Sequence, residues 1–353
     1  FQVKRKAGWD THGLPVELGV EKALGITKED IGTKITVEQY NLECRKDVMK
    51  YTDVWADVTA KMGYWVDMDH PYITYDNRYI ESVWWLLNNL YSKGSIYKGF
   101  TIQPYSPAAG TGLSTHELNQ PGCYRDVKDR TAVAMFKVAD AQSQRAFPGF
   151  QTLEKLNTQG NTYFLAWTTT PWTLPSNTAL AVGKNIDYVM VKTFNPYPAQ
   201  GKALDEIFVI LAKDLLSKYF PEKNAELNFE DFKEGDKHIP FRIAAEFKGS
   251  DLEGIKYEQL LDFALPYENA ENAFRVILGD FVTTSDGTGI VHIAPTFGAD
   301  DFNAAKAAKP AVPPMLVLNE NGKPVPLVDL RGRFLDVIKD GTFLSGNEYV
   351  KED

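Results

Sequence analysis

Apolar side chains recur along the chain with two different periods, and the change between them falls near residue 127. Before it the spacing is helical: Val37, Tyr40, Cys44, Val48, Tyr51, Trp55, Val58 and Met62 lie on one stripe, opened by a Thr36-to-Gln39 capping box and closed by Gly63. A second stripe, expected from Asp76 to Gly94, carries Tyr79, Val83, Trp84, Leu87, Leu90 and Tyr91, and its aromatic side chains read as core. Beyond Val127, short alternating or apolar runs punctuated by glycine and proline predict strands at 132–138, 163–167, 188–192, 207–211, 276–282 and 289–293. Helices are expected at 213–219 and 300–309, and the proline-bearing run from Phe194 to Gly201 reads as a loop. The pattern is that of an α/β chain: a mainly helical part, residues 1–127, followed by a β-rich, barrel-like part with peripheral helices, residues 128–353.

Composition narrows the picture only a little. A chain of 353 residues with 44% hydrophobic content has room for about two domains with their own cores. Its longest apolar runs, such as Val83 to Leu87, fall far short of the roughly 20 residues that cross a bilayer, so the expectation is a soluble, cytoplasmic protein without a membrane partner. Cys44 and Cys123 are far apart and lack metal-ligand spacing, which predicts plain thiols and no zinc site. The net charge of −9 argues mildly against nucleic-acid binding; the local clusters Lys4, Arg5, Lys6 and Arg125, Lys128, Arg130 could serve as a patch but read more readily as solvated surface. The chain starts on Phe1 without a methionine and runs to Asp353 without a stop in the pattern, as expected of a piece of something longer.

Candidate chemistry concentrates in two stretches. Ala166-Trp167-Thr168-Thr169-Thr170-Pro171-Trp172-Thr173-Leu174 crowds hydroxyls between two tryptophans. On an extended strand, three successive β-branched threonines place rigid donors and acceptors on both faces, either as a ligand wall or as the solvated side of an edge strand. The second stretch runs from Asp286-Gly287-Thr288-Gly289 through Ile290-Val291-His292-Ile293-Ala294-Pro295 to Gly298-Ala299-Asp300-Asp301-Phe302. Asp300 and Asp301 open a helix, where one of them is expected to cap free N–H groups. His292 is a core histidine, a general base or a wall that reads shape. Gly287 and Gly289 would let backbone N–H groups approach a ligand and steady an oxyanion, although isolated glycine triplets are usually turns.

Together with Gly8-Trp9-Asp10-Thr11-His12-Gly13-Leu14-Pro15-Val16-Glu17, and with Tyr105-Ser106-Pro107, Ser114-Thr115-His116-Glu117 and Phe247-Lys248-Gly249-Ser250-Asp251-Leu252, these stretches resemble the isoleucyl-tRNA synthetases and their inserted editing domain, connective peptide 1. The leucyl and valyl types carry different residues at several positions of the Thr11–Glu17 run. The resemblance covers nearly the whole chain. It implies that residues 1–127 are part of a Rossmann-type catalytic domain with its connecting segment, and that 128–353 are an editing domain truncated at its C-terminal end. It implies hydrolysis of valyl-tRNA(Ile), with the carboxylate of Asp301 gripping the substrate ammonium and Thr169 and Thr170 beside the reacting ester. Thr168, Thr173, Asn177, His292, Gly287 and Gly289 would line the site, His292 by refusing isoleucine. Asp10 would form one wall of the synthetic amino-acid pocket.

The same resemblance implies no cofactor for editing, ATP and Mg for the full-length enzyme's ligation of isoleucine, and the acceptor end of tRNA(Ile) carrying valine as partner. Neither the His-x-Gly-His nor the Lys-Met-Ser-Lys-Ser signature of class I enzymes is present, so this segment is not expected to form the adenylate itself. No serine, histidine and aspartate arrangement is legible, which leaves attack by a positioned water. Two alternatives stay open: a non-catalytic module that holds the aminoacylated acceptor end, and an unrelated α/β nucleotide-binding protein, for which no GxxxxGK loop is found.

Overall fold

A computed structural model describes residues 2–139, 161–195, 205–319, 321–329 and 332–335. The chain divides into two units, Phe1–Phe100 and Thr101–Asp353, a boundary that falls ahead of the change of pattern near residue 127.

In the first unit, strand β1 (Lys6–Trp9) pairs in parallel with β2 (Asp67–Ile73), placing Gly8 beside Tyr72 and Trp9 beside Ile73. Between them run α1 (Leu14–Leu24), α2 (Val37–Val48) and α3 (Thr52–Lys61). The capping box is present, Thr36 Oγ1 accepting from Gln39 N–H at 3.2 Å. The single helix expected from Thr36 to Gly63 is instead broken after α2, where the hydroxyl of Thr52 donates to the carbonyl of Met49 at 3.0 Å and the chain restarts as α3. Helix α4 (Asn77–Ser92) starts where expected, with Asp76 accepting from Arg78 N–H.

Its apolar stripe is not core, however. Trp84 is 67% exposed and Tyr91 68%, Leu87 and Leu90 are also exposed, and no residue of α4 is buried. An amphipathic stripe is buried only as far as an element lies against it; here Tyr72 of β2 stacks on Tyr79 at 5.7 Å, at the start of the helix, and the stripe is exposed from Trp84 to Tyr91.

In the second unit a short ribbon, β3 (Tyr105–Ser106) with β4 (Thr111–Gly112), precedes α5 (Thr115–Leu118). The body is built from β5 (Ala132–Lys137), β6 (Asn161–Thr168), β7 (Ala179–Val182), β8 (Asp187–Phe194) and β9 (Glu206–Ala212). To these are added α6 (Leu216–Tyr219), β10 (Arg242–Lys248), β11 (Arg275–Leu278), β12 (Ile290–Ile293), α7 (Ala299–Ala307) and a final ribbon, β13 (Leu316–Leu318) with β14 (Pro324–Pro326). The expected strands are found, but β11 stops at Leu278, four residues short of Val282, because Val282 N–H turns back onto the carbonyl of Gly279. The run 213–219 is a 3-10 turn leading into α6. Most of the loop expected from Phe194 to Gly201 lies outside the described residues.

The strands make two open sheets, a five-stranded one in the order β10-β8-β9-β6-β5 and a three-stranded one in the order β11-β7-β12. They are joined by the isolated bridges Val138 to Tyr257 and Lys256 to Arg275, and no ladder closes them into a barrel among the described residues. Phe136, Phe164, Leu180, Tyr188, Met190, Ile210 and Ile290 pack between the sheets. Every residue of β7 is fully buried, since the other face of this central strand packs with Ala305 of α7. Two chain ends thereby reach the same edge: the end of β6 delivers the threonine run, and β12 leads into α7.

Candidate functional site

Strand β6 ends at Thr168, so the three threonines do not continue as one strand. The cause is local: Thr168 Oγ1 accepts from Thr170 N–H at 3.0 Å, competing with the sheet ladder, and Pro171, which has no N–H to donate, opens a 3-10 turn over Pro171–Ser176. Thr168 and Thr173 are buried, whereas Thr169 and Thr170 remain exposed at the rim. Thr173 Oγ1 donates to the carbonyl of Thr170 at 2.8 Å and lies 3.1 Å from His292 Nε2.

That geometry assigns the histidine tautomer. With its single proton given to Thr170, the Thr173 oxygen receives the Nε2–H of the ring, which leaves Nδ1 as a bare acceptor. Nδ1 is buried and has no hydrogen-bond partner. Burial pushes the His292 pKa down from 6.5 to about 4, so the ring is neutral at physiological pH. A neutral imidazole that already spends its N–H on Thr173 is a shape-reading wall with one open acceptor. It is a poor match to a base poised near neutrality.

Neither aspartate caps α7 with its side chain; the cap position is Gly298. Asp301 Oδ2 instead reaches back to accept from Ala294 N–H at 2.8 Å, while Asp300 is exposed. Burial raises the Asp301 pKa, and the bond from Ala294 and the nearby Asp300 are smaller influences of opposite sign. Among the described residues no lysine or arginine pairs with it. A half-buried carboxylate met by backbone N–H groups but by no cation is costly to keep charged, and a cationic ligand would relieve that cost.

The two segments are laced together at four points: Thr173 to His292, Thr178 N–H to Ile293 O at 3.0 Å, Asn177 Nδ2 to Ile293 O at 3.4 Å, and the Trp172 ring edge-on to Phe297 at 4.9 Å. Asn177 has a structural task inside this seam. It is 3% exposed, gives its amide to Ala179 O at 2.8 Å, and accepts from the hydroxyl of Tyr257 at 2.7 Å. Tyr257 was not among the sequence candidates, since nothing in the pattern pairs positions 80 residues apart.

The glycines lie elsewhere. Gly287, at φ 70°, packs under Trp167, and its N–H is taken by Asp286 Oδ1 at 2.8 Å. Trp167 and Thr168 are successive residues of β6 and so face opposite sides of the sheet, which puts Gly287 on the far side from the Thr173–His292 pair. Gly289, at φ 74°, faces Ala212 and gives its carbonyl to Tyr188. The oxyanion role expected of Gly287 fails on this geometry, because the donor is already spent.

Asp10 belongs to the first unit, exposed just beyond the C-terminal end of β1. Beside it, Thr74 Oγ1 accepts from Thr11 N–H at 2.9 Å and lies 2.8 Å from His12 Nδ1. Among the described residues no three His, Cys, Asp or Glu side chains form a metal cluster, and no helix is long and apolar enough to cross a membrane. Both cysteines are free.

Comparison with known proteins gives a consistent picture. The family described as tRNA synthetases class I (I, L, M and V) matches residues 1–307. The isoleucine–tRNA ligase of Bacteroides fragilis is 64% identical over 95% of this chain and 27% of its own length. That of Cytophaga hutchinsonii is 61% identical over 100% of this chain and 29% of its own, and that of Clostridium tetani 44% over 96% and 27%. The chain therefore spans less than a third of the length of the curated relatives it matches. Among solved structures, GlLeuRS-CP1 is 18% identical with a TM-score of 0.34 over 50% of this chain and 57% of that one. The P. knowlesi cytosolic leucyl-tRNA synthetase editing domain is 14% identical, with a TM-score of 0.33 over 49% and 60%. These structural likenesses are too slight to bear on the chemistry.

Proposed function

Because the chain belongs to the class I tRNA synthetases of the isoleucine, leucine, methionine and valine type, we propose that it is a segment of an isoleucine–tRNA ligase that hydrolyses valine misattached to tRNA(Ile). In this reading residues 1–127 are part of the Rossmann-type catalytic domain and 128–353 the editing domain, whose two bridged sheets form a barrel-like body. The whole enzyme is cytoplasmic and joins isoleucine to tRNA(Ile) with ATP and Mg. Asp10 lines its amino-acid pocket. ATP and Mg serve the whole enzyme's ligation in this reading; neither the His-x-Gly-His nor the Lys-Met-Ser-Lys-Ser signature lies in this chain, and no editing step is routed through them.

The observation that carries the proposal is the uncompensated carboxylate of Asp301. It would bind the α-ammonium of the esterified amino acid by a charge-assisted hydrogen bond, worth about 1.5–3 kcal/mol. In this reading the hydroxyls of Thr168, Thr169 and Thr170 would hold the terminal ribose and a water, and Thr173 fixes the ring of His292. His292 limits side-chain volume. Water attacks the ester carbonyl carbon, the bond from that carbon to the ribose oxygen breaks, and the proton passes to that oxygen, giving free valine and an intact tRNA end. No covalent acyl-enzyme is required.

The need for such a site is one of magnitude. A hydrophobic pocket separates substrates differing by one methylene by only about 1–3 kcal/mol, a general limit for which isoleucine against valine is the standard worked example rather than a value derived from this chain. A second pocket that valine fits and isoleucine overfills removes the remainder.

Replacing Asp301 by alanine tests the reading. Deacylation of valyl-tRNA(Ile) is expected to fall by about 10- to 150-fold with an unchanged circular dichroism spectrum, in line with loss of a charged anchor. The wild-type rate is also expected to drop as acid protonates the raised Asp301 carboxyl. A folded wild-type chain that binds charged tRNA but never releases valine would be a binding module and not a hydrolase.

A further inference from the structure

The five-stranded sheet has a second face that the proposed chemistry does not use. Met135, Leu165, Ile207 and Val209 form the floor of a cavity of about 670 Å³ there, with Tyr219 and Phe220 from the segment after β9 along one side. This volume is in the range of small-molecule sites, about 300–1,000 Å³. Leu165 and Thr168 sit three residues apart on β6 and point to opposite faces, so the cavity is separate from the threonine and histidine cluster.

Three features of its lining specify what would fill it. The floor is aliphatic, so the body of the occupant is apolar. Asn224 lines the cavity at 7% exposure, and its Oδ1 is buried without a hydrogen-bond partner, which asks for a donor. Thr193, the other polar side chain deep in the lining, already gives its hydroxyl to Pro240 O at 3.0 Å. At the mouth stand Lys223, Lys237 and His238, all exposed, and among the described residues no acidic side chain lines the cavity, so the charge they present to an entering molecule is positive.

We propose that this cavity binds a small amphipathic organic anion: an aromatic or branched aliphatic body carrying one hydroxyl or N–H donor and a carboxylate or sulfonate. The body packs on Leu165 and Val209, the donor meets Asn224 Oδ1, and the anion stays at the lysine-lined mouth. The inference stands independently of the editing site, since none of these side chains takes part there.

The probe is 8-anilinonaphthalene-1-sulfonate, which has the ring body, the N–H and the anion, compared with naphthalene-1-sulfonate, which lacks the N–H. Titration of the whole chain by fluorescence and calorimetry is expected to give saturable one-to-one binding, tighter for the anilino compound. Asn224→Leu should weaken the anilino probe about tenfold and leave the other unchanged, because only one of them uses the acceptor. Paired Lys223→Gln and Lys237→Gln substitutions should weaken both probes about fivefold, with the loss shrinking in high salt. Val133→Trp, on a half-exposed edge residue of the lining, should block both without touching the core.

No saturable binding would overturn the proposal. So would binding that Val133→Trp and the lysine pair leave intact, since it would then belong to another apolar surface such as that of α4. Equal losses of both probes in Asn224→Leu would overturn the donor requirement and with it the ligand class.

Discussion

Helix α4 and strand β7 are both written largely in apolar residues, and they end in opposite environments. In α4 the side chains of Trp84, Trp85, Leu86 and Tyr91 are more than half exposed. In β7, Ala179, Leu180, Ala181 and Val182 are each at 0%. Side-chain hydrophobicity alone does not explain this, since Trp84, Leu86 and Leu87 of α4 are as apolar as Leu180 and Val182 of β7. What separates them is cover: β7 has β11 and β12 as neighbours, the five-stranded sheet on one face and α7 on the other, whereas the stripe of α4 meets the Tyr72 ring at Tyr79 and is exposed from Trp84 to Tyr91. Hydrophobic free energy scales with area removed from water, so the same kind of residue contributes strongly in one place and almost nothing in the other.

That contrast is open to direct attack. Leu180→Ala removes fully buried atoms between the sheets and is expected to cost about 2–5 kcal/mol, the largest effect, read as a shift in the urea midpoint of the second unit. A cost below about 1 kcal/mol would mean that the core there relaxes freely and that the contrast is overstated.

Next comes a pH effect of similar size from His292. Its folded pKa is about 4 and its unfolded reference is 6.5, so the unfolded chain takes up a proton that the folded ring refuses. The contribution is fully present above pH 6.5 and is lost as pH falls towards 4, amounting to about 3 kcal/mol at roughly 1.4 kcal/mol per unit. Urea unfolding at about pH 7.5 and about pH 4.5, on either side of the unfolded pKa, should show this loss in the wild type and a flatter dependence in His292→Gln. An identical pH profile in the two proteins would remove His292 from the buried seam.

The smallest effect belongs to α4. Leu87→Ala, at a residue 47% exposed, should move stability by no more than about 0.5 kcal/mol. A loss comparable to that of Leu180→Ala would show that the helix is covered in solution.

Much of this was legible in the sequence, and the gaps have physical causes. Local signals held: the Thr36 capping box, the Asp76 start of α4 and the strands around Phe164, Val189 and Ile210 are set by neighbours a few residues away. The break after α2 was not, because it lies in a tight turn, where Lys50 N–H and Thr52 N–H bond three residues back, to Asp47 and Met49, inside an unbroken apolar period. Nor was the bareness of α4, since a stripe announces that it can be covered and is silent about whether it is.

In the candidate site the sequence singles out Thr168, Thr169, Thr170, Thr173, His292 and Asp301, and the fold brings their two segments to one seam. It could not sort the glycines from that set. Gly287 was grouped with His292 by closeness along the chain, yet pleat parity at Trp167 and Thr168 carries it to the other face. Asn177 was singled out as lining and turns out to bind Tyr257 and two carbonyls within the core, a task visible only when strands from distant parts of the chain are paired.

The most direct test is to incubate the folded chain with valyl-tRNA(Ile) and with isoleucyl-tRNA(Ile) and to follow ester loss from each. Faster release of valine, abolished by Asp301→Ala, is the predicted result. Equal release of the two amino acids, or release of neither, would contradict it.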